Sequence, residues 1–86
     1  MTQKRVSEIL SKYDPLGLNK HGQKDEYEGE SKEILEVLNC MDRVFTPHWL
    51  VRLKVWEIFY GWNCSSAGEE AKYDDIAQEL WTEFVR

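Results

Sequence analysis

The sequence predicts an all-α fold, a compact bundle of about four helices with a central, aromatic-rich third helix. Apolar residues recur at helical spacing in four separate stretches. The β-branched residues lie within those patterns, and no stretch shows the sustained alternation of a half-buried strand. A length of 86 residues is typical of one domain. We therefore expect residues 1–86 to form a single helical domain.

Two predicted helices flank a turn near the start of the chain. Thr2 is a candidate cap for the first helix, which should end near Tyr13 because the residue before Pro15 is pushed out of the α region. Asp25 is the predicted N-cap of the second helix, with Glu28 at the capping-box distance. The apolar positions are Val6, Ile9, Leu10 and Tyr13 in the first helix, and Tyr27, Ile34, Leu35, Leu38 and Met41 in the second.

The third predicted helix, residues 47–62, has two apolar faces. Thr46 offers a capping hydroxyl, and Pro47 suits the first helical position. In a helical projection Trp49, Leu53, Trp56 and Tyr60 fall within a sector of about 60°. Val51, Val55, Ile58 and Trp62 fall within a second sector, about 160° away. A surface helix has one apolar stripe, so this helix is either central in the domain or half of an interface.

The fourth predicted helix is apolar on one side and strongly acidic elsewhere. Ser66 with Glu69 fits the capping-box pattern at its start, after a loop at residues 61–68. Its apolar positions are Tyr73, Ile76, Ala77, Leu80 and Phe84, with Trp81 beside them. Its acidic positions are Glu69, Glu70, Asp74, Asp75, Glu79 and Glu83.

The charge distribution argues against nucleic acid as a partner. The net charge is −5, and the segments 1–24, 25–40, 41–62 and 63–86 carry +3, −5, +1 and −4. A nucleic-acid-binding protein concentrates basic residues in a stripe, because neutralising phosphates supplies much of its affinity. Here the basic surplus is small and confined to the first third of the chain.

The sequence also predicts a cytoplasmic location without membrane contact. The start, MTQKRVSEIL, lacks the apolar run of an export signal, and no stretch approaches the ~18 apolar residues of a membrane span. Cys40 and Cys64 in such a chain are expected to be free thiols.

No metal site is predicted. The soft ligands His21, Cys40, His48 and Cys64 follow one another at irregular intervals, unlike those of zinc sites. An EF-hand loop counted from Asp14 or Asn19 fails, because apolar or unsuitable residues fall on ligand positions. Asp25, Glu26 and Glu30 are carboxylates of a kind that binds a hard cation, but a solvated helix start explains them better.

No catalytic residue or cofactor is predicted either. Cys64 precedes a predicted helix, a position that can lower a thiol pKa. No histidine follows closely in sequence to act as its base, although an approach of His48 or His21 in space stays open.

The order of several short motifs resembles a known family. These motifs are Asp14-Pro15-Leu16-Gly17-Leu18, Asp25-Glu26-Tyr27 with Glu30, Ile34-Leu35 with Leu38, Trp56-Glu57-Ile58-Phe59, and Ile76-Ala77. From Val6 to Leu80 the chain resembles the small bacterial helical proteins grouped as domain-of-unknown-function 1871. The resemblance implies an all-helical cytoplasmic bacterial protein and brings no catalytic residues.

The shared motifs suggest a structural corner, formed by Asp14, Pro15, Gly17, Tyr27 and Glu30. We expect Tyr27 to pack under the turn at Asp14 and Pro15. We also expect Asp14 or Glu30 to bond the backbone or a base such as Arg52.

The main functional hypothesis is a non-catalytic protein–protein interaction module, with a homodimer as one form. Its basis is the two-faced third helix and a surplus of aromatic residues, which dominate protein interfaces. The candidate interface residues are Trp49, Leu53, Trp56 and Tyr60. One alternative is a metal-dependent or carboxylate-based enzyme that uses residues 25–30 with His21 or His48. Another is an immunity-type or antitoxin-like protein whose acidic helices bind a basic partner.

Overall fold

The computed structural model describes residues 1–17 and 27–86, which form an all-α bundle without strands in those ranges. The helices are α1 (Gln3–Tyr13), α2 (Glu28–Cys40), α3 (His48–Asn63) and α4 (Asp74–Val85). Two 3₁₀ turns, Cys64–Ala67 and Glu70–Tyr73, connect α3 to α4. The predicted fold class is confirmed. Within the described ranges, every helix is too short or too polar to cross a membrane.

The third helix is the centre of the packing, as predicted. It contacts α2, α4 and both 3₁₀ turns, while α1 packs against α2 and α4. The buried apolar residues form one core cluster to which all four helices contribute. Its fully buried members include Val6, Leu10, Val51, Phe59, Tyr73, Ala77 and Leu80. Tyr13 was predicted on the apolar stripe of α1, but its side chain is 37% exposed, and its hydroxyl donates to Glu79 Oε1 at 3.0 Å.

The ends of α1 follow the sequence closely. The Thr2 hydroxyl accepts a hydrogen bond from the Arg5 backbone N–H at 3.2 Å, as expected of an N-cap. The helix stops at Tyr13, because Asp14 turns into the left-handed region with φ of 48° ahead of Pro15. Local sequence signals were therefore sufficient to predict both ends of α1.

Other helix starts differ from the prediction. The second helix has Tyr27 at its N-cap position, and Asp25 lies outside the described residues. The third begins at His48 without a side-chain cap, because the Pro47 carbonyl accepts the first helical bond, from the Leu50 N–H at 3.1 Å. The predicted role of Thr46 is therefore wrong.

The predicted capping box at Ser66 and Glu69 is also wrong. Ser66 lies inside the first 3₁₀ turn, and α4 begins only at Asp74. The Tyr73 hydroxyl, fully buried, donates to the Ala67 carbonyl and so holds the two turns together. The buried contact between Tyr73 and Ala67 therefore overrides the capping signal of Ser66 and Glu69.

A close packing contact explains why position 29, near the start of α2, is a glycine. A Cβ atom at this position would lie 2.7 Å from Cη2 of Trp62. The indole therefore rests directly on the α2 backbone, a contact that offsets the cost of up to about 1 kcal/mol of glycine in a helix. Trp62 was predicted in the same apolar sector as Val51, Val55 and Ile58, but at the end of α3 it stays 54% exposed.

Candidate functional site

The four predicted interface residues, called here the aromatic face, differ in exposure. Trp49 and Tyr60 are 56% and 50% exposed, whereas Leu53 and Trp56 are partly buried. The Trp56 indole N–H donates to the Gly68 carbonyl at 2.9 Å, and its ring lies 5.3 Å from that of Tyr60. Trp56 therefore holds the chain after α3 against the helix, while Trp49 and Tyr60 leave ring surface open at the two ends of the face.

The opposite face of α3 is mostly covered by the rest of the chain. Of its four predicted members, Val51, Val55 and Ile58 are buried, whereas Trp62 at the end of the helix is 54% exposed. The burial of the first three accounts for most of one of the two apolar faces read from the sequence. Among the described residues, the aromatic face is the more exposed of the two.

Two apolar residues that the sequence analysis did not single out are the most exposed large hydrophobic side chains among the described residues. Val44 and Phe45, called here the 44–45 tip, are 80% and 82% exposed. The Asp42 carboxylate accepts their backbone N–H groups at 2.7 and 3.0 Å, so the tip is held outward by an ordered turn. An adjacent apolar pair inside a helix connection, between Asp42 and Pro47, was the available sequence signal.

An apolar groove of about 470 Å³ lies between the end of α2 and the start of α3, the two helices that the tip connects. This α2–α3 groove is lined by Glu36, Val37, Cys40, Met41, Leu50 and Lys54. Its only charged lining residues are Glu36 and Lys54, which carry opposite charges. Leu50 of the groove adjoins Trp49 of the aromatic face in sequence, and the tip lies in the connection between Met41 and Leu50.

The predicted corner between α1 and α2 is built around Tyr27, which is 1% exposed. Its hydroxyl donates to Asp14 Oδ1 at 2.7 Å and accepts from the Leu16 backbone N–H at 3.2 Å. Gly17 has a φ of 69°, a conformation that favours glycine. The Pro15 carbonyl accepts a bond from Lys72, which ties the turn to the segment before α4. These contacts give the corner a structural role.

Glu30 has a different environment from the one predicted. Its side chain is 5% exposed. Burial raises the pKa of this carboxyl above its usual value. Of the partners predicted for Asp14 or Glu30, the base Arg52 bonds to Glu70 and Asp74 at 3.3 and 3.1 Å, and a backbone partner stays a prediction.

Ion pairs join α1 to the acidic side of α4. Arg5 Nε donates to Glu83 Oε2 at 2.7 Å, and Lys12 Nζ donates to Glu79 Oε1 at 2.6 Å. These bonds lower the pKa of both carboxyl groups. The basic surplus of residues 1–24 thus meets part of the acidic surplus of residues 63–86. Much of the acidic surface of α4 is engaged within the chain.

Those candidate catalytic and metal-binding residues that the structure describes are not brought together. Residues 1–17 and 27–86 contain no group of three or more side chains placed to bind a metal. His48 Nε2 lies 2.7 Å from Asp74 Oδ1 at the start of α3, whereas Cys64 follows the other end of that helix, about 24 Å away along its axis. His21, Asp25 and Glu26 lie outside the described residues.

Comparison of the chain with protein-family models, with curated proteins and with solved structures finds no match. The resemblance to domain-of-unknown-function 1871 stays a prediction from the sequence motifs. The fold and the exposed surface described above therefore carry the functional argument on their own.

Proposed function

We propose that this chain is a non-catalytic protein-binding module that docks through the aromatic face of α3. The observation that carries the proposal is the half-exposed state of Trp49 and Tyr60 on the side of α3 that faces away from the core. Tryptophan and tyrosine are enriched among the residues that dominate binding energy at protein interfaces. The 44–45 tip, which precedes α3 in the chain, exposes further apolar area to a partner.

The free-energy cost of exposing apolar surface to water supports the same proposal. Soluble monomers rarely expose contiguous apolar patches beyond a few hundred Å², and such patches often have a function. The bond of Trp56 to Gly68 fixes its indole, and the Tyr60 ring packs on that indole at 5.3 Å, so these two rings are largely in place before a partner arrives. An ordered surface loses less side-chain entropy on binding than a mobile one.

The alternative of a basic partner has less support from the contacts. On α4, Asp74, Glu79 and Glu83 bond to bases of the same chain. A basic partner would have to displace these bonds. The enzyme alternative depends on residues 25–30, of which Glu30 is buried against α3.

Site-specific photo-crosslinking in cells that make the protein tests the proposal. A photoreactive amino acid replaces Trp49 in one variant and Lys32, an exposed residue of α2, in a matched control. We expect a discrete protein adduct from position 49 and none from position 32. Absence of an adduct at position 49, or the same adduct from both positions, would contradict the proposal.

A further inference from the structure

We propose that the partner is a second copy of this chain, and that the contact is centred on the 44–45 tip and the α2–α3 groove. This inference rests on the proposed function, since it names the partner of the same apolar surface. It adds Phe45 and the groove to the aromatic face and makes Phe45 the centre of the interface.

The first argument is shape. The tip is an apolar projection, and the α2–α3 groove is an apolar recess of about 470 Å³. Both belong largely to one stretch, since Met41 and Leu50 line the groove on either side of the tip in sequence. In a two-fold dimer both copies use the same surface for the contact. The tip of each copy can therefore enter the groove of the other. A single contact of this kind covers both features on both copies.

The second argument is area. A standard interface covers about 800 Å² on each partner, and about 65% of a homodimer interface is apolar, which requires ~500 Å² of apolar surface per copy. The exposed fractions of Phe45 and Trp49 correspond to ~300 Å² of ring surface. Val44 and the groove lining extend the same patch. The apolar surface around residues 41–50 is therefore of the size that a homodimer needs.

The third argument is charge. The Asp42 carboxylate is bonded to the backbone of its own turn, and the Arg43 guanidinium lies 4.5 Å from the centre of the Phe84 ring. The two residues of the tip, Val44 and Phe45, are themselves uncharged, and the charged side chains before them already have contacts within their own chain. At the groove edge, Glu36 and Lys54 have opposite charges. A two-fold contact lets Glu36 of each copy face Lys54 of the other.

Lys54 can exchange its ion-pair partner on the same helix for Glu36 of the other copy. Its bond to Glu57 on the same helix is 3.4 Å long, and both side chains are close to half exposed. Exposed pairs of this kind contribute little to stability, so exchanging the partner costs little.

Light scattering on a sizing column, from micromolar to millimolar concentration, tests the inference. We expect a mass of twice the 10.2 kDa chain at high concentration, falling towards one chain on dilution. Phe45→Glu should halve the mass at high concentration, and Val85→Glu, a matched change at an exposed residue of α4, should not. Circular dichroism checks that both variants remain folded.

Exchanging the charges at positions 36 and 54 tests whether these two residues face each other across the dimer contact. Lys54→Glu should shift the dimer towards monomer, and the double variant Lys54→Glu with Glu36→Lys should recover it. Failure of the double variant to recover the dimer would overturn the assigned orientation.

The outcomes separate this inference from the proposed function. A wild-type mass of one chain at every concentration, or a dimer that Phe45→Glu leaves intact, overturns the second-copy contact. If position 49 still yields a discrete adduct with a different protein in cells, the proposed function stands without the homodimer. If position 49 yields no adduct at all, the proposed function fails as well.

Discussion

Tyr27→Phe tests how the corner between α1 and α2 is held. The substitution removes a single oxygen and leaves the ring in its place, 5.9 Å from the ring of Phe59. The Asp14 carboxylate loses a donor at 2.7 Å, and the Leu16 N–H loses an acceptor at 3.2 Å. Leaving such partly buried groups without this partner costs about 1–3 kcal/mol. We expect the free energy of unfolding to fall by about 2 kcal/mol.

The assay is thermal and urea unfolding followed by circular dichroism. In a domain of this size 1 kcal/mol corresponds to about 4–8 °C, so Tm should fall by roughly 8–16 °C. Tyr60→Phe is the matched control, because it removes the same atom from a ring that is 50% exposed. The control should change stability by less than about 0.5 kcal/mol. Equal melting temperatures for the two variants would refute the structural role of the Tyr27 hydroxyl.

Three further predictions concern packing and pH. Gly29→Ala should stabilise α2 by up to about 1 kcal/mol in a Trp62→Ala background and by clearly less in the wild type, because the new Cβ meets the indole; equal effects in urea unfolding would exclude this contact. Glu30→Gln should raise stability at neutral pH, since folding raises this pKa above 4.5, and the gain should disappear as acid protonates the wild-type carboxyl; a destabilised variant at neutral pH would contradict this. The pKa shift of Glu79 has the opposite sign to that of Glu30. Its pKa is lowered from 4.5 in the folded state, so its contribution is present above pH 4.5 and is lost as the pH falls through the folded value. Glu79→Gln should therefore flatten the acid limb of a stability–pH curve, and an unchanged limb would argue against the Lys12 bond.

The parts of the fold that follow from local pattern could be predicted from the sequence. Helical spacing is sufficient to place Val6, Ile34 and Leu80 in the core, because an amphipathic stripe has one low-energy orientation. The stop before Pro15 is likewise a property of two adjacent residues.

The parts that depend on tertiary contacts could not be predicted in this way. The Ser66 capping signal is overridden by the bond between the buried Tyr73 hydroxyl and the Ala67 carbonyl, which depends on packing that the sequence pattern does not report. Similarly, the pairing of α1 bases with α4 acids joins residues more than sixty positions apart, such as Lys12 and Glu79.

The candidate interface was only partly predictable for the same reason. Helical spacing placed Trp49 and Tyr60 on one face, but spacing does not report that Trp56 bonds to Gly68. The 44–45 tip lies in a connection, where hydrophobic periodicity gives no information. Its exposure is a property of the Asp42 turn and appears only in three dimensions.

The indole N–H signals of the four tryptophans provide the most direct test of the central claim, that the surface around Phe45 and Trp49 joins two copies. In a ¹⁵N-labelled sample each tryptophan gives one cross-peak, assigned by replacing each in turn with phenylalanine. On dilution we expect the Trp49 signal to move, while that of Trp81, stacked on Phe84, stays in place. Signals that are all independent of concentration, or movement at Trp81 alone, would contradict the claim.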